Sequence, residues 1–192
     1  MYMKKLLTFA LVTFLVAGCV PSWNPLYTDK DLVFDPQLVG VWEGEEGEIW
    51  NFEKQDQKNY KLTYTDKHGK ATFLAHLLKI KERRFLDLYL HDDAEKDLKL
   101  NALATMTIVP VHFFMRVDEI GSSLKMAAVN PEALQKQLEK NPKAISLLKQ
   151  KDHIVFTATT EELQAFVMKH VEGEELFGGP FSLAREASKQ SK

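Results

Sequence analysis

The run Ala71-Thr72-Phe73-Leu74-Ala75-His76-Leu77-Leu78-Lys79-Ile80, then Lys81-Glu82-Arg83, then Arg84-Phe85-Leu86-Asp87-Leu88-Tyr89-Leu90-His91, decides how the rest of the chain is read. Two apolar stretches of strand length flank a short charged link, which is the pattern of a β-hairpin. A two-residue turn at Lys81-Glu82 sets the register: Ile80 faces Arg83, Leu78 faces Phe85, His76 faces Asp87 and Leu74 faces Tyr89. Lys81-Glu82 is not the Asn-Gly or Asp-Gly that such turns favour, so this register is an expectation for the structure to test. It makes His76 and Asp87 a polar pair among Leu74, Leu78, Phe85 and Tyr89. A carboxylate beside an imidazole can hold a polar ligand head, raise the histidine pKa or act as an acid/base pair. A structural or solvent-facing hydrogen-bonded pair is the plainer alternative.

Outward from the hairpin, segments of the same kind recur between polar turns. They are Leu38 to Glu43, Glu48 to Lys54, Tyr60 to Thr65, Thr105 to Val117, Leu124 to Val129 and Ile154 to Thr159, eight strands with the hairpin included. Gly44-Glu45-Glu46-Gly47, Asp66-Lys67-His68-Gly69 and Gly121-Ser122 supply the turn residues. Mostly sequential hairpins predict an antiparallel meander, and about eight strands suffice for a small closed barrel filled by side chains or one ligand. Asn130-Pro131 and Asn141-Pro142 each place a capping side chain before a proline suited to the first helical position, predicting two inserted helices before the last strand. A third helix follows, with Thr159 and Glu162 spaced as a capping box and Leu163, Phe166, Val167 and His170 along one face. The expected class is mainly β, a β-rich α+β barrel or half-barrel. Beyond Gly173 the chain turns polar and small, and a mobile tail is expected after Phe181.

Gly40-Val41-Trp42 stands on the first of these strands. The arrangement resembles the lipocalins, which carry Gly-x-Trp on the first barrel strand. The resemblance implies an eight-stranded barrel with the Trp42 indole plugging one end and an arginine from a late strand packed across it. Arg116 is the candidate for that arginine, because a guanidinium stacks well on an indole. Two inserted helices and the lack of disulfides depart from the family. They leave open a half-barrel with a helix across its mouth, as in periplasmic carriers and receptors of lipoprotein acyl chains.

The amino terminus carries Lys4 and Lys5, an apolar run from Leu6 to Val16, then Ala17 and Gly18 before Cys19, the only cysteine. This is the layout of a signal peptide, its apolar run about half of the ~20 residues a membrane-spanning helix needs. Val16-Ala17-Gly18-Cys19 resembles the bacterial lipobox. That resemblance implies cleavage before Cys19, a diacylglycerol on its thiol and an acyl chain such as palmitate on the new amino group. Two or more acyl chains anchor a protein stably, so the expected partner is a membrane, reached through the lipid. Val20 stands where inner-membrane lipoproteins of enteric-type bacteria carry Asp, so the outer membrane, on the periplasmic side, is the expected site if the source has one. From Val20 to Pro36 the chain reads as a tether that becomes ordered against the domain, with Trp23, Tyr27 and Phe34 packing on it or touching head groups. The expected organisation is 1–18 signal peptide, 19–36 lipidated tether, 37–172 barrel and 173–192 tail.

The 192 residues are 45% hydrophobic and 27% charged, which describes one ordered domain. With 25 basic against 27 acidic residues, nucleic acid is not an expected partner. A single cysteine excludes a disulfide framework and a Cys-rich zinc site, and the spacing of His76, His91 and His112 does not call for a metal, so none is expected. No nucleophile elbow, metalloprotease helix, phosphate loop or dinucleotide fingerprint is present, and no catalytic residue is assigned. Three functions stand. The first is an anchored envelope protein binding a small hydrophobic or amphipathic ligand in its barrel at Trp42, Leu74, His76, Leu78, Phe85, Asp87 and Tyr89, with Gly40, Trp42 and Arg116 as framework. The second is a non-enzymatic scaffold or assembly factor binding an envelope protein, through the helices between Pro131 and Lys149. The third is a small hydrolase or isomerase using His76 and Asp87.

Overall fold

A computed structural model describes residues 20–91, 101, 103, 109–151, 153–172 and 175–186. The expected signal peptide, 1–18, and Cys19 lie outside the described residues, as do 105–108 at the start of the expected sixth strand. The chain is mainly β and closes an eight-stranded antiparallel barrel. Its strands are β1 (Gly40–Glu43), β2 (Ile49–Lys54), β3 (Asn59–Asp66), β4 (Gly69–Ile80), β5 (Arg83–Leu90), β6 (His112–Ile120), β7 (Ser123–Ala128) and β10 (Phe181–Arg185). Seven of them form the expected meander, and β10 closes the circle between β7 and β1.

The central hairpin has the register its sequence pattern specified, with Ile80 opposite Arg83, Leu78 opposite Phe85, His76 opposite Asp87 and Leu74 opposite Tyr89. Its tight turn is made without glycine, and Lys81 takes the left-handed conformation at φ 53°. Alternation along the strands separates two cores. The inner one fills the barrel with Trp42, Trp50, Phe52, Tyr60, Leu62, Leu77, Leu86, Met115, Met126 and Leu183 among others. The outer one lies against the opposite face of β4 to β7 and joins Leu78, Phe85 and Phe114 to the segments that cover them.

Those covering segments correct three expectations. Residues 153–156 do not close the barrel: β9 (His153–Phe156) pairs with β8 (Leu147–Gln150) in a separate two-stranded ribbon. The closing strand comes instead from Phe181–Arg185, inside the stretch expected to be a mobile tail, because Phe181 and Leu183 alternate with polar or small residues and complete the inner core. The domain thus extends past residue 172. Asn141-Pro142 starts no second helix: Asn141 caps the end of α1 (Pro131–Lys140) and accepts from Lys143 N–H, after which the chain extends into β8. Helix α1 begins at the expected Asn130 cap, whose Oδ1 accepts from the Glu132 and Ala133 N–H groups. Helix α2 (Thr160–Lys169) has the expected capping box and buries Leu163, Phe166 and Val167 in the outer core. No helix among the described residues is long and apolar enough to cross a membrane.

Residues 20–32 form a strap over the outer core, and Val33 and Phe34 continue onto the inner one. Ser22 exchanges both backbone hydrogen bonds with His112, Trp23 N–H donates to Phe156 O, Val33 N–H to Leu77 O, and Lys79 N–H to Asp31 O. Val20, Ser22 and Leu26 are buried beneath it.

Candidate functional site

The residues singled out in the sequence fall at three places. At the end of the barrel where β1 begins, Trp42 is fully buried and donates its indole N–H to Leu38 O at 2.9 Å. The arginine across its ring is Arg185, with its guanidinium carbon 4.0 Å from the ring centroid, and not Arg116. Arg185 pairs directly with Trp42 in the β1–β10 ladder, and donates to Val39 O at 3.1 Å and to Gln37 O. Gly40, at φ 134°, is what lets it through: a Cβ there would meet Arg185 Nη1 at 2.8 Å. Arg116 points to the outer face, where it pairs with Asp118, donates to Val171 O and stacks on Phe177.

The second place is the outer face of the central hairpin. Leu74, His76, Leu78, Phe85, Asp87 and Tyr89 share it as expected, but it lies under the strap and apart from the barrel interior that holds Trp42. The expected ligand-lining set is therefore divided between two cores. Asp87 is fully buried, and its partners come from elsewhere than His76: Oδ2 accepts from Leu26 N–H at 2.9 Å and Oδ1 meets His112 Nδ1 at 2.7 Å. His112, in sequence only a candidate metal ligand, reaches Asp87 because β6 lies on the far side of β5 from β4. The Tyr27 ring stacks on His76 at 4.3 Å between centroids, with its hydroxyl 3.2 Å from Nε2.

Burial shifts both members of this stacked pair. Burial, helped by the Asp87 charge, pushes the Tyr27 phenol up to about 12, so Tyr27 stays protonated beside His76 Nε2. The other ring nitrogen, His76 Nδ1, is buried and has no hydrogen-bond partner among the described residues. Burial also holds the His76 pKa below the usual histidine value against the opposing pull of Asp87. A histidine kept neutral by the fold takes up protons more readily when unfolded. Its contribution is complete above about pH 6.5 and is lost as pH falls through that value towards the folded one. The melting temperature is therefore expected to drop on acidification below pH 6.5, and to drop less in His76→Gln, which keeps a hydrogen-bonding side chain beside Tyr27. Equal acid sensitivity of the two proteins in a calorimetric pH series would remove this assignment.

The third place escaped the sequence reading. At the end of the barrel bearing the β1–β2 and β3–β4 turns, the interior side chains Tyr64, Phe73, Phe113 and Phe181 are only partly buried. Trp50 stands among them, edge-on to Tyr64 at 5.2 Å and 6.3 Å from Phe181. It is 9% exposed, and its indole N–H has no hydrogen-bond partner among the described residues. Its alternation with Phe52 on a short strand beside Trp42 was the available signal. Among the described residues no cluster of His, Cys, Asp and Glu could hold a metal ion. Comparison with protein-family models, with curated proteins and with solved structures finds no match for the chain.

Proposed function

We propose that the chain is a lipoprotein of a bacterial envelope, anchored through acylated Cys19, whose barrel takes a small amphipathic ligand at the Trp50 end. The anchor rests on the Val16-Ala17-Gly18-Cys19 sequence behind its apolar run. The binding reading rests on one observation, the Trp50 N–H that lacks an acceptor among the described residues, beside the partly buried Tyr64 and Phe181. A buried donor without a partner is costly, and a ligand oxygen placed there would relieve it. Trp42, directly opposite Trp50 in the β1–β2 ladder, is fully buried under Arg185, so a ligand at Trp50 would find the Trp42 side of the interior closed to it. Asp87 and His112 fasten the strap rather than face a substrate, which favours binding over catalysis. The scaffold reading is weakened because α1 turns Leu134 and Leu138 into the outer core instead of offering them to a partner. Where the source has an outer membrane, its periplasmic face is the proposed location.

In cells fed an alkynyl fatty acid, the full chain should take up label and sediment with membranes, and Cys19→Ala should do neither. The Cys19→Ala chain, purified without detergent, should carry a small-molecule adduct in native mass spectrometry. Trp50→Phe should weaken that adduct about tenfold, the value of one hydrogen bond of about 1.4 kcal/mol. A bare protein mass throughout would turn the proposal to a protein partner.

A further inference from the structure

The strap ends where the proposed lipid begins. Val20, the residue after Cys19, is 2% exposed and belongs to the outer core. Pro21 O accepts from Phe156 N–H, and Ser22 bridges β6 on one side and β9 on the other. There is accordingly no slack between the acylation site and the folded domain. An anchor at Cys19 fixes which face of the protein meets the bilayer.

That face can be read from strand alternation. Ser22 and Phe156 are fully buried and point into the outer core, as does Leu147 opposite Phe156. Their neighbours Trp23, Val155 and Leu148 therefore share the other side, with Leu148 directly opposite Val155 in the ribbon. Trp23 is 57% exposed and Leu148 56% exposed. Large apolar side chains so exposed and so grouped mark a contact surface.

We infer that this face, Trp23 with Leu148 and Val155, rests on the membrane and holds the barrel in one orientation at its surface. The inference rests on the proposed acylation of Cys19. Two observations select a bilayer over a protein partner. Trp23 is four residues from Cys19, so an extended chain places it no more than about 14 Å from the anchored cysteine, within reach of the head-group layer. Tryptophan, apolar in body with one N–H donor, is also the side chain best suited to that layer. With the anchor alone the domain would tumble about Cys19; the ordered strap and the apolar face together prevent it.

The test uses the full acylated chain in vesicles of phosphatidylethanolamine and phosphatidylglycerol whose acyl chains carry bromine near the head group. Trp42 and Trp50 are buried, so Trp23 is the indole that lipid bromine can reach. Emission should fall on transfer from plain to brominated vesicles, and the fall should disappear in Trp23→Phe. The double variant Trp23→Ser with Leu148→Ser should stay anchored while its barrel gains rotational freedom in fluorescence anisotropy. Flotation without bromine quenching overturns the membrane face and leaves the anchor standing. Trp23 shielded from aqueous acrylamide but not quenched by bromine means a protein covers the face, and also overturns it. A wild-type chain that fails to float overturns anchor and face together.

Discussion

Trp42→Ala is expected to lower the unfolding free energy by about 4 kcal/mol, the range for removing a fully buried aromatic whose site cannot collapse. Several local features depend on this one side chain. The indole N–H ties β1 to Leu38 O in the preceding turn, and the ring is the platform on which Arg185 lies. Arg185 in turn belongs to β10, whose pairing with β1 spans only Trp42 with Arg185 and Glu43 with Ala184. Loss of the platform should loosen the shortest seam of the barrel. Guanidinium denaturation should show the shift in midpoint, and hydrogen exchange should show amides of β10 opening before those of β4 and β5. A loss under about 1 kcal/mol would mean that the barrel end does not depend on the indole. Arg116, stacked on Phe177 outside the barrel, offers no substitute.

Much of this architecture was legible because strand periodicity is local. Each hairpin of the meander announces itself through alternating side chains and a polar turn, and the β4–β5 register followed from a two-residue turn at Lys81-Glu82 even though that pair is a poor turn sequence. What is not local was harder to read. Residues 181–185 are a short strand behind Gly178-Gly179-Pro180, and nothing near them in sequence says that they pair with β1, some 140 residues away. Ile154 and its neighbours carry the apolar character of a barrel strand, yet the strap and α2 bury that character equally well.

Division of the candidate site between two cores has the same origin. On β4 the inner side chains Ala75 and Leu77 and the outer ones His76 and Leu78 are all buried, and β5 repeats the pattern with Leu86 and Leu88 inside and Phe85 and Asp87 outside. A strand buried on both faces loses the contrast that tells inside from outside. The pairing of His76 with Asp87 was readable, whereas the identity of the Asp87 partners was not. Leu26 and His112 come from elements far away in sequence.

Asp87→Ala should then be the polar substitution with the largest effect, a loss of about 3 kcal/mol. The carboxylate is fully buried, and removing it strands two donors at once, the Leu26 backbone N–H and His112 Nδ1. Because one of those donors belongs to the strap, the damage should begin there. Amide exchange at Ser22, Trp23 and Leu26 should accelerate under conditions where the barrel strands remain protected. A double-mutant cycle with His112→Ala separates the pair from the strap contact. If Asp87 acts mainly through His112, the double variant should be little worse than Asp87→Ala; if it acts mainly through Leu26, the two losses should add. Either result keeps Asp87 as the clamp, whereas a loss under about 1 kcal/mol with an unchanged strap removes it. The clamp also bears on the membrane. With residues 20–26 released, about seven more residues, up to ~24 Å of chain, would separate Cys19 from the domain. On the proposed acylation of Cys19, an anchored Asp87→Ala protein should therefore keep its vesicle but lose the proposed contact of Trp23 with the bilayer.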